Sequence, residues 1–69
     1  MKLSARNVLP ATIKSVKPGA VDSEVIVELA PGLEIVAIIT KQSAEKLALK
    51  PGGKAYAIIK ASNVMIGVD

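Results

Sequence analysis

Three short clusters concentrate the hydrogen-bond donors of this chain. Ser4-Ala5-Arg6-Asn7 offers a hydroxyl, a guanidinium, an amide and backbone N–H groups. Lys60-Ala61-Ser62-Asn63 offers an ammonium, a hydroxyl and an amide. Thr40-Lys41-Gln42-Ser43 places two hydroxyls where a helix is expected to begin. A tetrahedral oxyanion asks for such a set: several N–H and O–H donors and one or two cations, converging without a carboxylate beside them. Free N–H groups and the helix dipole add to this at a helix start. Each cluster also has an ordinary structural use: a polar terminus for Ser4 to Asn7, a helix cap for Thr40 and Ser43, and a strand-to-strand turn for Lys60 to Asn63.

Other chemistry finds less support. Covalent catalysis needs a nucleophile with a base beside it. Ser4, Ser15, Ser23, Ser43 and Ser62 are present, but the chain has no His to activate them and no Cys. Asp22, Glu24, Glu28, Glu34, Glu45 and Asp69 fall mostly opposite apolar positions, where solvated surface charge belongs. No Walker loop and no dinucleotide-binding Gly motif is present. The chain is therefore expected not to be an enzyme, and no metal-cation site is expected. Single-stranded nucleic acid is the alternative ligand, because small β-barrels often stack bases on aromatic side chains over a basic groove. Tyr56 is the one aromatic residue, and the nine Lys and Arg residues are scattered along the chain against six Asp and Glu. Nucleic-acid binding is expected to be weak and non-specific.

The elements that must hold these clusters read mainly as strands. Half the residues are apolar, carried by Val, Ile, Leu and Ala, which is a β-rich composition. Pro18-Gly19, Pro31-Gly32 and Pro51-Gly52 each read as a turn with Gly at a positive φ. A first strand is expected at Ala11 to Lys17, with Ala11, Ile13 and Ser15 on one face. A second runs from Ala20 to Ala30, where Val21, Ser23, Val25, Val27 and Leu29 share a face. The third, Leu33 to Thr40, is apolar on both faces, so its second face needs a cover. Thr40 to Leu49 carries helix formers, with Ala44, Leu47 and Ala48 on one face. Two more strands are expected, Lys54 to Ala61 and Asn63 to Val68, the last with Val64, Ile66 and Val68 inward. The order predicts an all-β fold: an OB-like five-stranded barrel with one short helix between strands 3 and 4. An SH3-like barrel is the alternative.

The whole of residues 1–69 is expected to form one domain. At this length, with no disulfide available, oligomerisation is the remaining aid to stability. Met1-Lys2 leads straight into polar residues, unlike a signal peptide, and the longest apolar run is far too short for a membrane span. The expectation is a cytoplasmic protein with no membrane partner.

The same clusters carry a family resemblance. Ser4-Ala5-Arg6-Asn7, Ile38-Ile39-Thr40-Lys41-Gln42-Ser43 and Ile59-Lys60-Ala61-Ser62-Asn63-Val64-Met65-Ile66-Gly67-Val68 resemble the molybdenum-pterin-binding (Mop) proteins, or molbindins, single modules of the TOBE type. The likeness runs end to end. It implies storage or homeostasis of molybdate and tungstate by a homo-hexamer, a trimer of dimers, with oxyanion sites at subunit interfaces. Carried over residue by residue, one site class would use Ser4, Ala5, Arg6, Lys60 and Ala61 of one chain with Thr40 and Ser43 of its neighbour. The family often has Ser where this chain has Ala61, so Ser62 is the candidate replacement hydroxyl. A second class, near the threefold axis, would use Gly19, Ala20 and Val21. The family name implies a pterin, but the residues offer no aromatic slot for its ring. The expected ligand is the bare molybdate or tungstate anion, with no organic cofactor. The sequence leaves the choice among molybdate, tungstate and sulfate open.

Overall fold

A computed structural model describes all residues, Met1–Asp69. Strands β1 (Asn7–Pro18), β2 (Asp22–Ala30) and β3 (Leu33–Thr40) lead into helix α1 (Lys41–Lys46), followed by β4 (Lys54–Ile59) and a 3-10 turn at Ala61–Asn63. The four strands form one antiparallel sheet in the order β3-β2-β1-β4. The long β1 serves two partners in turn. Its first half, Asn7 to Thr12, pairs with β4, and its second half, Thr12 to Pro18, pairs with β2. Pro10 is tolerated because this stretch has a neighbour only on the β4 side.

Between the two halves lies a bulge. Ile13 faces Val27 and Ser15 faces Ile26, which leaves Lys14 as the extra residue. A bulge bends its strand and shifts every later side chain to the other face. The expected placement of Ser15 beside Ala11 and Ile13 is thereby corrected: Val16 takes the inward position opposite Val25 and packs on the core. On β2, the period-two alternation is as expected, with Ser23, Val25 and Val27 buried. Val21 falls outside the strand and is exposed.

The Pro-Gly pairs divide. Gly32 and Gly52 have φ of 81° and 86° and form the expected turns. Gly19 does not have a positive φ. Its N–H donates to the Asp22 carbonyl at 2.7 Å, and a Cβ there would lie 2.6 Å from that oxygen, so close approach explains the glycine.

The helix is shorter than the residue types suggested. It ends at Lys46 because Ala48 adopts a left-handed conformation, φ 52°. The N–H of Ala48 donates to the Glu45 carbonyl and that of Leu49 to the Ala44 carbonyl, the paired bonds of a Schellman cap. Ala44 is buried as expected, while Leu47 and Ala48 lie beyond the helix and exposed. No helix is long and apolar enough to cross a membrane.

The five-stranded barrel is corrected as well. Val64–Asp69 follows the 3-10 turn as an arm that joins no ladder, and Val64, Ile66 and Val68 are exposed rather than inward. Alternation supplies the pattern of a strand, but a strand also needs a free edge within reach. Each half of β1 is paired on one side only, by β4 or by β2, and the arm joins neither its open sides nor β3 nor β4.

The core is correspondingly small. Ala11, Ile13, Val25 and Val27 form its buried centre, with Val16, Leu49 and the inward residues of β3 and β4 packed around them. The sheet curls until its two edges flank one cleft of about 500 Å³, lined wholly by apolar side chains of β2, β3, β4 and Leu47 and Leu49. No hydrogen bonds close that seam between β3 and β4. Val36 and Ile38 on β3, and Tyr56 and Ile58 on β4, stand exposed along it.

Candidate functional site

The β1–β4 ladder ends with Asn7 opposite Ile59. One step beyond lie Arg6 on one strand and Lys60 on the other, so the register itself joins two clusters separated by over fifty residues of chain. The Asn7 side-chain amide donates to the Ile59 carbonyl at 3.2 Å and pins the two segments together. Asn7 thus holds the two segments together with one of its two amide N–H donors.

Past this point the segments splay to form a pocket of about 610 Å³, lined by Ser4, Ala5, Arg6, Ile58, Lys60, Ala61 and Ser62. Six of those seven residues are the ones expected from sequence. Ile58 was not, because its side chain reads as one more apolar strand residue; it supplies an apolar wall. The pocket holds two cations and two hydroxyls and no carboxylate. Neither Arg6 nor Lys60 forms an ion pair, since the single salt bridge of the chain is Lys14 with Glu34. Unpaired cations beside hydroxyl and backbone donors make a local positive field that an anion would relieve. The pocket is wide open, much larger than a tetrahedral oxyanion, and Arg6, Lys60, Ala61 and Ser62 are exposed.

Thr40 and Ser43 do not line this pocket. Thr40 caps α1: its Oγ1 accepts the Ser43 N–H at 3.0 Å and donates to the Ser43 Oγ at 2.8 Å. The Ser43 hydroxyl proton is left to donate elsewhere. Gly19, Ala20 and Val21 form the exposed β1–β2 turn, which touches the start of α1 through the Lys41 N–H donated to the Val21 carbonyl at 2.8 Å. The Gly19 N–H is spent within the turn. Within one chain these two sets are near each other through that bond, and neither lines the Arg6–Lys60 pocket.

The remaining charged groups are occupied or scattered. Lys14, the bulge residue, pairs with Glu34, and hydrogen bonding and attraction to that carboxylate raise the Lys14 pKa above its ordinary value. Lys54 donates to the Thr12 hydroxyl at 3.3 Å. No group of acidic residues could hold a metal ion.

Comparison with known proteins bears on the family and the fold. The family model described as the TOBE domain matches residues 3–66. Molybdenum-pterin-binding protein 1 of Clostridium pasteurianum is 41% identical over 66 residues, covering 96% of this chain and 97% of that protein. Among solved structures, a molybdate-binding protein from Sporomusa ovata is 38% identical with a TM-score of 0.91, covering 99% of this chain and all of that one. The cytoplasmic molybdate-binding protein ModG, solved with molybdate bound, is 49% identical with a TM-score of 0.93, and this chain spans 49% of its length. With a match over nearly every residue in both sequence and fold, the chain belongs to the TOBE domain family, among its single-module molybdenum-pterin-binding proteins.

Proposed function

We propose that this protein binds molybdate, and tungstate by the same chemistry, and that residues 1–69 act as one module for intracellular molybdenum storage or homeostasis. The observation that carries the reading is the Arg6–Lys60 pocket, with two unpaired cations, the Ser4 and Ser62 hydroxyls, the backbone around Ala5 and Ala61, and no carboxylate. The named relatives, which bind molybdenum species, support the choice of anion. The protein binds its ligand rather than transforming it, and it works in the cytoplasm, as the name of one structural neighbour indicates for that protein. Nothing in the comparisons supports the nucleic-acid alternative, and Tyr56 lines the apolar cleft rather than a basic groove.

The working form is an oligomer, a homo-hexamer built as a trimer of dimers. Two observations support assembly. The pocket is too open to desolvate an anion alone, so a neighbour must close it, and Thr40 and Ser43 of that neighbour are the donors assigned to the task. The apolar seam between β3 and β4 also matches the unpaired arm of a second copy. The arm has the alternation of a strand, and its six residues span about 20 Å, the length of the six-residue β4. Gly19, Ala20 and Val21 are retained as a second oxyanion site formed where three copies meet.

Calorimetric titration with molybdate, tungstate and sulfate tests this reading. Losing a charged partner from a partly buried anion costs about 2–5 kcal/mol, and losing one hydroxyl about 0.5–1.5 kcal/mol. Arg6→Ala and Lys60→Ala are therefore expected to weaken molybdate binding far more than Ser43→Ala. Lys14→Ala is expected to leave it unchanged, because Lys14 is paired at a distance from the pocket. An Arg6→Ala variant that remains assembled and binds like the parent refutes the site.

A further inference from the structure

Ile58 is the one large apolar side chain that lines the anion pocket. It lies opposite Val8 of β1 in the ladder, and alternation sets it on the same face as Lys60 two residues on. The side chain is exposed, so nothing within the chain stands between it and a ligand. The other lining residues bring a charge, a hydroxyl or, at Ala5 and Ala61, little beyond backbone. A wall of donors replaces the water that an anion gives up on entry. An apolar wall replaces none of it. The cost of that bare contact rises as the ion shrinks, because the same charge on a smaller radius is held more strongly by water. Sulfate is smaller than molybdate or tungstate at equal charge and shape, so it loses most against Ile58.

We propose that Ile58 is the residue that sets anion choice, turning the pocket against sulfate and toward the larger, less tightly hydrated molybdate and tungstate. This rests on the molybdate reading given above and names the side chain behind its selectivity. Once a neighbour closes the pocket, the anion keeps no water between itself and Ile58. Arg6, Lys60 and the hydroxyls attract every tetrahedral dianion through the same charge-assisted bonds. Discrimination therefore comes from the face that returns no hydrogen bond, by penalising the competitor rather than by adding a contact to the preferred ligand. Molybdate and tungstate are close in size and are not separated by it.

Ile58→Val and Ile58→Thr separate polarity from shape, because the two replacements differ by a methyl against a hydroxyl and both suit a strand. Calorimetric titration of each full-length protein with molybdate and with sulfate gives the ratio of the two Kd values. With Ile58→Val the wall stays apolar, and the preference for molybdate should stay close to the parent's. With Ile58→Thr the new hydroxyl donates to the anion, and the preference should narrow by about three- to tenfold relative to Ile58→Val. A side chain that serves packing alone would shift both anions together and leave the ratio unmoved. Ile58 also borders the apolar cleft, so sedimentation accompanies each titration. The parent protein supplies a readout that needs no variant: selenate, between sulfate and molybdate in size, should bind with intermediate affinity. Equal ratios in Ile58→Val and Ile58→Thr, or selenate binding no tighter than sulfate, overturn the proposal. If the parent binds sulfate as tightly as molybdate, the role of Ile58 is wrong and the molybdate reading stands. If it binds neither anion, both fall together.

Discussion

Ile66 offers the cleanest perturbation of the arm. It is 87% exposed within its own chain, so shortening it costs the isolated fold almost nothing. Any effect must arise where the arm packs on another copy. Ile66→Ala removes three carbon atoms, and each buried methylene is worth about 0.8 kcal/mol, so one arm loses roughly 2 kcal/mol. Mutual exchange in a dimer counts the loss twice, about 4–5 kcal/mol in all. At 1.4 kcal/mol per decade that weakens the dimer roughly a thousandfold. Met65 alternates onto the other face of the arm and is similarly exposed, at 92%. Met65→Ala should shift the dimer constant by less than about tenfold, a side chain left in water having little transfer energy to lose. Sedimentation equilibrium over a wide concentration range measures both constants, with circular dichroism confirming the strand content of each variant. An Ile66→Ala protein that associates as tightly as the parent refutes arm docking in the seam.

Substitutions at three further positions probe the fold around α1. Ala48→Gly relieves a left-handed alanine and should raise stability by about 0.5–1 kcal/mol after the added chain entropy is subtracted, read as a higher denaturation midpoint; a fall would show that the Schellman cap is misassigned. Thr40→Ala removes the α1 cap and should cost about 1 kcal/mol, with Thr40→Ser restoring most of it, because only the oxygen is needed. Ser23 is 1% exposed among apolar neighbours, and its Oγ has no protein hydrogen-bond partner. Ser23→Ala should therefore be neutral or stabilise by up to about 1 kcal/mol in chemical denaturation, and a clear loss would reveal a bond that the hydroxyl makes.

The sequence alone determined the features that depend on residue type and local spacing. Alternation along Ser23, Val25 and Val27 marked the buried face of β2, because a strand turns successive side chains to opposite sides. Pro31-Gly32 and Pro51-Gly52 marked turns through the φ values those residues favour. The pocket residues Ser4, Ala5, Arg6, Lys60, Ala61 and Ser62 were legible as donor clusters free of carboxylates, although nothing in their spacing brought the two ends together. That juxtaposition is tertiary: it follows from the register of Asn7 with Ile59, a pairing between distant segments. The bulge at Lys14 is tertiary too, since one extra residue against β2 exchanges Ser15 for Val16 in the core while leaving the local pattern equally plausible either way. The helix end at Ala48 escaped notice because alanine is a good helix former and rarely adopts the left-handed conformation found there. The arm shows the same division most clearly. Val64, Ile66 and Val68 carry the alternation of a strand, but a strand is completed only by hydrogen bonds to another backbone, and the order β3-β2-β1-β4 gives the arm no partner within its own chain.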